Sequence, residues 1–162
     1  MTERRRPDDR VEELYREDGP RLWRAVLAFT GDREVTNDAV AEAFAQALRR
    51  GAAIRRPRPW IWRAAFRIAA GELAGRARFS QDAIEELREM EDAGSSLDPS
   101  GSLIAALRML SPKQRGSLVL HHYAGYPVRD VARILGSTSA AVRVHLSRGR
   151  RRLRALLENE DA

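Results

Sequence analysis

Apolar residues in this chain recur three and four positions apart almost from end to end, and no run alternates apolar with polar residues for six positions. That spacing lines up one face of a helix, whereas a half-buried strand needs a period of two. The pattern therefore predicts an all-α fold. Leu14, Leu22, Val26 and Phe29 form a first stripe, closed by Thr30-Gly31-Asp32. Thr36 is the expected N-cap of the next helix. Its apolar face is Ala39, Val40, Ala43, Phe44, Ala47 and Leu48. Asp38, Glu42 and Gln46, each four residues from the next, lie on the opposite side. Gly51 follows as the stop.

Two prolines two apart disfavour helix in residues 51–59, which read as a loop. A third helix is expected from about Pro59 to Arg78. An acidic helical stretch, QDAIEELREMED, then gives way to AGSSLDPSGS. That second composition is a linker's, so residues 79–102 divide two small helical domains, 11–78 and 103–158. Residues 1–10 are expected to form a disordered tail and 159–162 an acidic one. In the second domain Leu107 and Leu110 lead to the helix-start signal Ser111-Pro112. Helices are expected at 112–123, at about 127–135, and from Thr138, as N-cap, to about Leu157.

Charge follows the same division. The net charge is +6, and 28 of the 29 basic residues are Arg. Residues 49–79 hold nine Arg against one Glu, and residues 103–157 hold eleven bases against one acid. Between them, residues 80–102 hold seven acids against one Arg. Arginine suits phosphates because its planar fork offers several fixed N–H donors. Two basic blocks on separate units point to a polyanion partner.

The sharpest local pattern is Ala132, Gly136 and Val142. In a helix-turn-helix two helices cross closely about a short turn. The crossing takes a small residue, Ala132; the turn takes a residue that tolerates positive φ, Gly136; the second helix packs back through Val142. Val131, Leu135 and Leu146 complete the small core. Ser139, Ala140, Arg143, Val144, Ser147 and Arg148 then face outward near the start of the second helix, where a recognition helix reads base edges. Arg143 and Arg148 can each hold a guanine or a phosphate. Arg150, Arg151 and Arg152, in the run RGRRRLR, suit backbone phosphates.

Residues 110–157, LSPKQRGSLVLHHYAGYPVRDVARILGSTSAAVRVHLSRGRRRLRALL, resemble region 4 of bacterial extracytoplasmic-function sigma factors. Residues 14–48 resemble the first part of their region 2, and residues 58–78 the promoter-melting helix. The resemblance implies a transcription initiation factor. Region 4 would bind the flap of core RNA polymerase and read the −35 element as duplex. Region 2 would dock on the clamp, through Asp38, Glu42 and Gln46, and melt the −10 element. Arg55, Arg56 and Arg58 would line the loop that captures a flipped base of the non-template strand. Trp62, Arg63 and Arg67 would follow on the helix holding the melted strand, where aromatic and Arg side chains stack on bases. Trp60 shares an apolar stripe with Ala64 and Ile68 and is expected in the core, leaving Trp62 and Arg63 exposed. An anti-sigma factor is a further partner class. The chain departs from the family pattern at Arg67, Gly71, Val144 and His145.

Other functions find little support. Cys is absent, which removes disulfides and thiolate chemistry. His121 and His122 are adjacent and so point apart on a helix, a poor metal pair. No cofactor motif or catalytic constellation is evident, so the chain is not expected to be an enzyme. No apolar run approaches the roughly 20 residues of a membrane span, and a cytoplasmic protein is expected. Two alternatives stay open: a stand-alone helix-turn-helix regulator, and a sigma-like module that titrates a partner.

Overall fold

The computed structural model describes residues 6–79 and 99–160, which form eight α-helices and no strand. They are α1 (Pro7–Glu17), α2 (Gly19–Thr30), α3 (Arg33–Arg50), α4 (Pro57–Phe79), α5 (Pro99–Arg108), α6 (Pro112–Leu118), α7 (Val128–Leu135) and α8 (Ser139–Glu160). Helix α1 begins inside the expected N-terminal tail, and α8 continues into the expected acidic tail. The acidic stretch and most of the linker lie outside the described residues. Packing groups the chain into two compact units, Met1–Ala69 and Ala70–Ala162.

In the first unit the stripe expected through residues 14–29 is two helices rather than one. The chain breaks at Asp18, which closes α1 and opens α2, with Pro20 in the first turn of α2. A proline tolerates that position because its missing amide donor has no helical partner there. Gly31, with φ 66°, ends α2 in the left-handed region. Helix α3 starts four residues before its sequence suggested. Its N-cap is Asp32, whose carboxylate accepts from the Val35 amide at 3.0 Å. Thr36 is instead buried within the helix. Its hydroxyl donates to the Asp32 carbonyl at 2.7 Å and lies 2.8 Å from the Thr30 hydroxyl. A β-branched hydroxyl mid-helix is tolerated when it bonds back to the preceding turn.

The core of this unit is Leu22, Val26, Phe29, Val35, Phe44, Ile61 and Phe66, with Ala39, Ala43, Ala47 and Ala65 where helices approach. Phe29 and Phe66 meet with ring centroids 5.5 Å apart. A short 3₁₀ turn, Gly51–Ala53, occupies the start of the expected loop. Helix α4 then begins at Pro57, two residues early.

In the second unit α6 opens with a capping box. Ser111 accepts from the Gln114 amide, and the Gln114 side chain accepts from the Ser111 amide. The helix expected to run to residue 123 widens into a π turn over Val119–Tyr123. Arg115 is buried and donates to the Leu110 carbonyl at 3.3 Å, holding the connection from α5. Val119, Leu120, Val131, Ile134, Val142 and Leu146 form the core.

Candidate nucleic-acid interface

The turn between α7 and α8 is built as its sequence suggested. Gly136 has φ 60° and ψ 44°, so the left-handed position falls on glycine, which has no Cβ to clash there. Its amide and that of Ser137 return to the last carbonyls of α7, the latter at 2.8 Å from Ala132. Thr138 caps α8, its hydroxyl accepting from the Ala141 amide at 3.1 Å. Ala132 and Val142 are both buried.

This geometry fixes which way α8 faces. Val142, Leu146 and Gly149 point into the unit, so Ala140, Arg143, Val144, Ser147 and Arg148 are exposed, and Ser139 is half-buried. Val144 is 44% exposed. Arg150, Arg151 and Arg152 are exposed as well.

The sequence reading missed Gly149, which lies inside the arginine run. A Cβ built there would meet Leu118 Cδ1 at 3.2 Å and Gln114 Cβ at 3.4 Å. The glycine lets α6 and α8 cross closely and so fixes the recognition helix from behind. A glycine amid exposed arginines, one turn beyond Leu146 on the same face, is the signal that could have shown it.

In the first unit the predicted residues divide. Arg55, Arg56 and Arg58 come together at an open cleft of about 490 Å³, whose other walls are Arg10, Glu13, Leu14 and Glu17 from α1 with Pro57 and Pro59. Arg63 and Arg67 are exposed on α4. Trp62 is not. It is only 3% exposed, and its indole N–H donates to Asp18 Oδ2 at 2.6 Å. Arg21 lies over its ring at 5.6 Å. The expected roles of the two tryptophans are thus corrected. Trp62 belongs to the core, and Trp60 is only half-buried, with Arg50 over its ring at 5.4 Å.

Arg58 also differs from a free DNA-reading side chain. It grips Asp18 with two donors, Nε to Oδ2 at 3.1 Å and Nη2 to Oδ1 at 2.9 Å. Fork-on-carboxylate pairing is the strongest geometry available to such ions. Asp18 therefore accepts three hydrogen bonds from α4 while nearly buried, and it pins the first turn of α4 to the α1–α2 junction. Nothing near Asp18 in sequence names partners 40 and 44 residues away, although Asp18-Gly19-Pro20 does signal a break.

On α3, Asp38 is exposed, and Glu42 and Gln46 are partly so. The three share a face, but Glu42 is already engaged. Gln46 Nε2 donates to it at 2.9 Å and Arg49 Nη2 at 2.8 Å. Those bonds, that from Gln46 foremost, hold its carboxyl below the usual carboxylate range.

Residues 100–153 match the protein family described as Sigma-70, region 4. No curated protein sequence matches the chain. Among solved structures, the sigma factor RpoE from Bartonella quintana, in complex with the anti-sigma factor NepR, is similar with a TM-score of 0.65 and 21% identity. The likeness covers 91% of this chain and 96% of that one. CnrH, in complex with the cytosolic domain of CnrY, is similar with a TM-score of 0.58 and 24% identity, over 92% of this chain and 88% of that one. These two likenesses concern the fold. With a region 4 match over the turn and recognition helix, and the fold of a sigma factor over most of its length, the chain resembles the extracytoplasmic-function sigma factors.

Proposed function

We propose that this chain is a promoter-specificity subunit of bacterial RNA polymerase, active in the cytoplasm. The observation that carries the reading is α8: a recognition helix held from behind by Val142, Leu146 and Gly149, with Ala140, Arg143, Val144, Ser147 and Arg148 exposed, inside a segment that matches sigma-70 region 4. In this reading residues 103–158 bind the polymerase flap and read −35 duplex DNA. Ser139 through Arg148 face the bases, and Arg150, Arg151 and Arg152 the phosphates. Residues 11–78 dock on the polymerase clamp through Asp38, Glu42 and Gln46. They also open the −10 element, with the Arg55–Arg56 cleft taking an unpaired base of the non-template strand and Arg63 and Arg67 its backbone. Residues 79–102 join the two functions. Chemistry on nucleotides then belongs to the polymerase, and this chain supplies selection. An anti-sigma factor is a candidate partner, since RpoE is held by one in the similar structure.

Run-off transcription with core polymerase and a genomic promoter library tests the reading. Specific transcripts that require this protein support it and give both promoter elements. Polymerase binding without transcripts points instead to a titrating module. Duplex binding without any polymerase binding points to a stand-alone regulator.

A further inference from the structure

Arg150 is exposed on α8, yet it is not loose. Its Nη1 lies 3.2 Å from His122 Nε2, on the π turn that follows α6. A guanidinium has donors only and stays protonated at any pH a protein tolerates. His122 Nε2 must therefore carry the lone pair, and the ring proton sits on Nδ1. The pair is compatible only with a neutral His122. Protonation would place an N–H donor against an N–H donor and a second positive charge beside the first.

The π turn makes this meeting possible. Its wider hydrogen bonding, with the Ala124 amide reaching back to the Val119 carbonyl at 3.0 Å, changes where the side chains after Val119 project. His121 is fixed separately, its Nδ1 donating to the Tyr126 carbonyl at 2.8 Å. The two imidazoles meet edge to face with centroids 5.0 Å apart. The charged and titratable groups facing His122 are His121 on its own turn and Arg150 on α8.

We infer that His122 is a positioning residue for DNA-backbone binding: its neutral ring holds Arg150 by one N–H, leaving the other donors of the guanidinium directed at a phosphate, and protonation of His122 releases that hold. The inference rests on the reading of Arg150 as a phosphate contact. Partial burial, then the neighbouring His121 and Arg150, push the His122 pKa below the ordinary histidine value, which agrees with a ring kept neutral. Acidification would thus loosen one backbone contact on the recognition helix.

Two measurements on the full-length protein decide it. The first is imidazole ¹H–¹⁵N correlation at neutral to alkaline pH. A solvated neutral imidazole favours its proton on Nε2. The expected result is the Nδ1–H form for His122 in the wild type, reverting in Arg150→Ala. A His122 proton on Nε2 in the wild type would overturn the inference without reference to DNA. The second is affinity for a fluorescent random-sequence duplex across a salt series. Each phosphate contact contributes about 0.9 to the slope of log affinity against log salt. His122→Ala should lower that slope by about one, as Arg150→Ala does, while His122→Gln keeps an acceptor and the slope. Between about pH 8 and about pH 5 the wild-type slope should fall and that of His122→Gln, which keeps every other group, should not. Superimposable pH profiles, or a His122→Ala slope equal to wild type, would refute the positioning role. An unchanged slope in Arg150→Ala would instead remove the phosphate contact on which the role rests, and the tautomer result would stand apart from that failure.

Discussion

The two basic regions use the same residue in opposite ways. Around the start of α4 part of the set is drawn into the fold: Arg58 is clamped on Asp18, Trp62 is buried against the same carboxylate, and Arg50, at the end of α3, covers Trp60, while Arg55, Arg56, Arg63 and Arg67 stay exposed. On α8 the arginines stand outside a core made by Val142, Leu146 and Gly149. The difference lies in where each side chain's partner is. The α7–α8 turn is closed by residues between Ala132 and Val142, and Arg143, Val144, Ser147 and Arg148 beyond it stay exposed. The α4 segment is completed by a carboxylate far away in sequence, which engages Arg58 and Trp62, two of the groups the sequence offered for DNA contact.

The largest effect should come from breaking that remote anchor. Asp18→Ala removes the carboxylate that accepts from the Trp62 N–H and from the half-exposed Arg58 guanidinium. Losing three hydrogen bonds to a charged, nearly buried group costs about 3 kcal/mol. All three tryptophans lie in residues 23–62, so tryptophan fluorescence follows the first unit alone. Its denaturation midpoint should fall sharply in Asp18→Ala and less in Arg58→Ala, whose removal leaves the Trp62 bond intact. Equal midpoints for Asp18→Ala and wild type would show that the anchor contributes nothing.

That contrast also explains what could be read from sequence. Helix content, the Gly51 stop, the Ser111-Pro112 start, Gly136 and the Thr138 cap all follow from residues within a few positions of one another. The α2–α3 junction was misplaced because two caps competed: Asp32 takes the amide of Val35, and Thr36 turns inward to Thr30 and the Asp32 carbonyl. Trp62 was misread although a local signal was present: Trp62, Ala65, Phe66 and Ala69 recur at helical spacing and all four are buried, whereas the stripe through Trp60, Ala64 and Ile68 is only half-buried. What lay out of reach in sequence was Asp18, which accepts from the indole, and Arg21, which lies over its ring.

A second test moves the comparison to α8. Gly149→Val would press into Leu118 and Gln114 at a crossing where even a bare Cβ would lie 3.2 Å from Leu118 Cδ1. Overpacking of this kind costs roughly 1–3 kcal/mol, offset in part by the helix propensity lost to glycine, so a net cost of about 2 kcal/mol is expected. The far-UV circular dichroism transition should shift and the tryptophan transition should not. A tryptophan shift would mean that the two units do not unfold separately.

The third test asks whether an exposed arginine really is idle in the fold. Arg143→Ala removes a side chain with no part in the core, so both transitions should stay within about 0.5 kcal/mol of wild type. Promoter affinity in the polymerase complex should fall by about tenfold, the lower end for loss of one bidentate base contact. Loss of stability would place Arg143 with Arg58 as a structural residue. Unchanged promoter affinity would remove it from the reading face.

The smallest effect is a pH dependence confined to one unit. All three histidines lie in the second unit, at 121, 122 and 145. Burial first, then Lys113 and Arg148, lowers the pKa of His145 in the folded chain; burial first, then His121 and Arg150, does the same for His122. Below the ordinary value of about 6.5 the unfolded chain therefore binds protons that the folded chain refuses, and stability must fall as pH falls. Above that value both states are neutral at these rings and the effect vanishes. Carboxylates remain ionised in the upper part of this window, so a shift of the circular dichroism midpoint just below pH 6.5 belongs to histidine. His145→Gln should flatten part of the slope and His122→Gln another part. The tryptophan transition of the first unit, which holds no histidine, should not respond over the same range. A parallel response there would assign the pH dependence to groups shared by both units rather than to the two imidazoles packed among the arginines of α8.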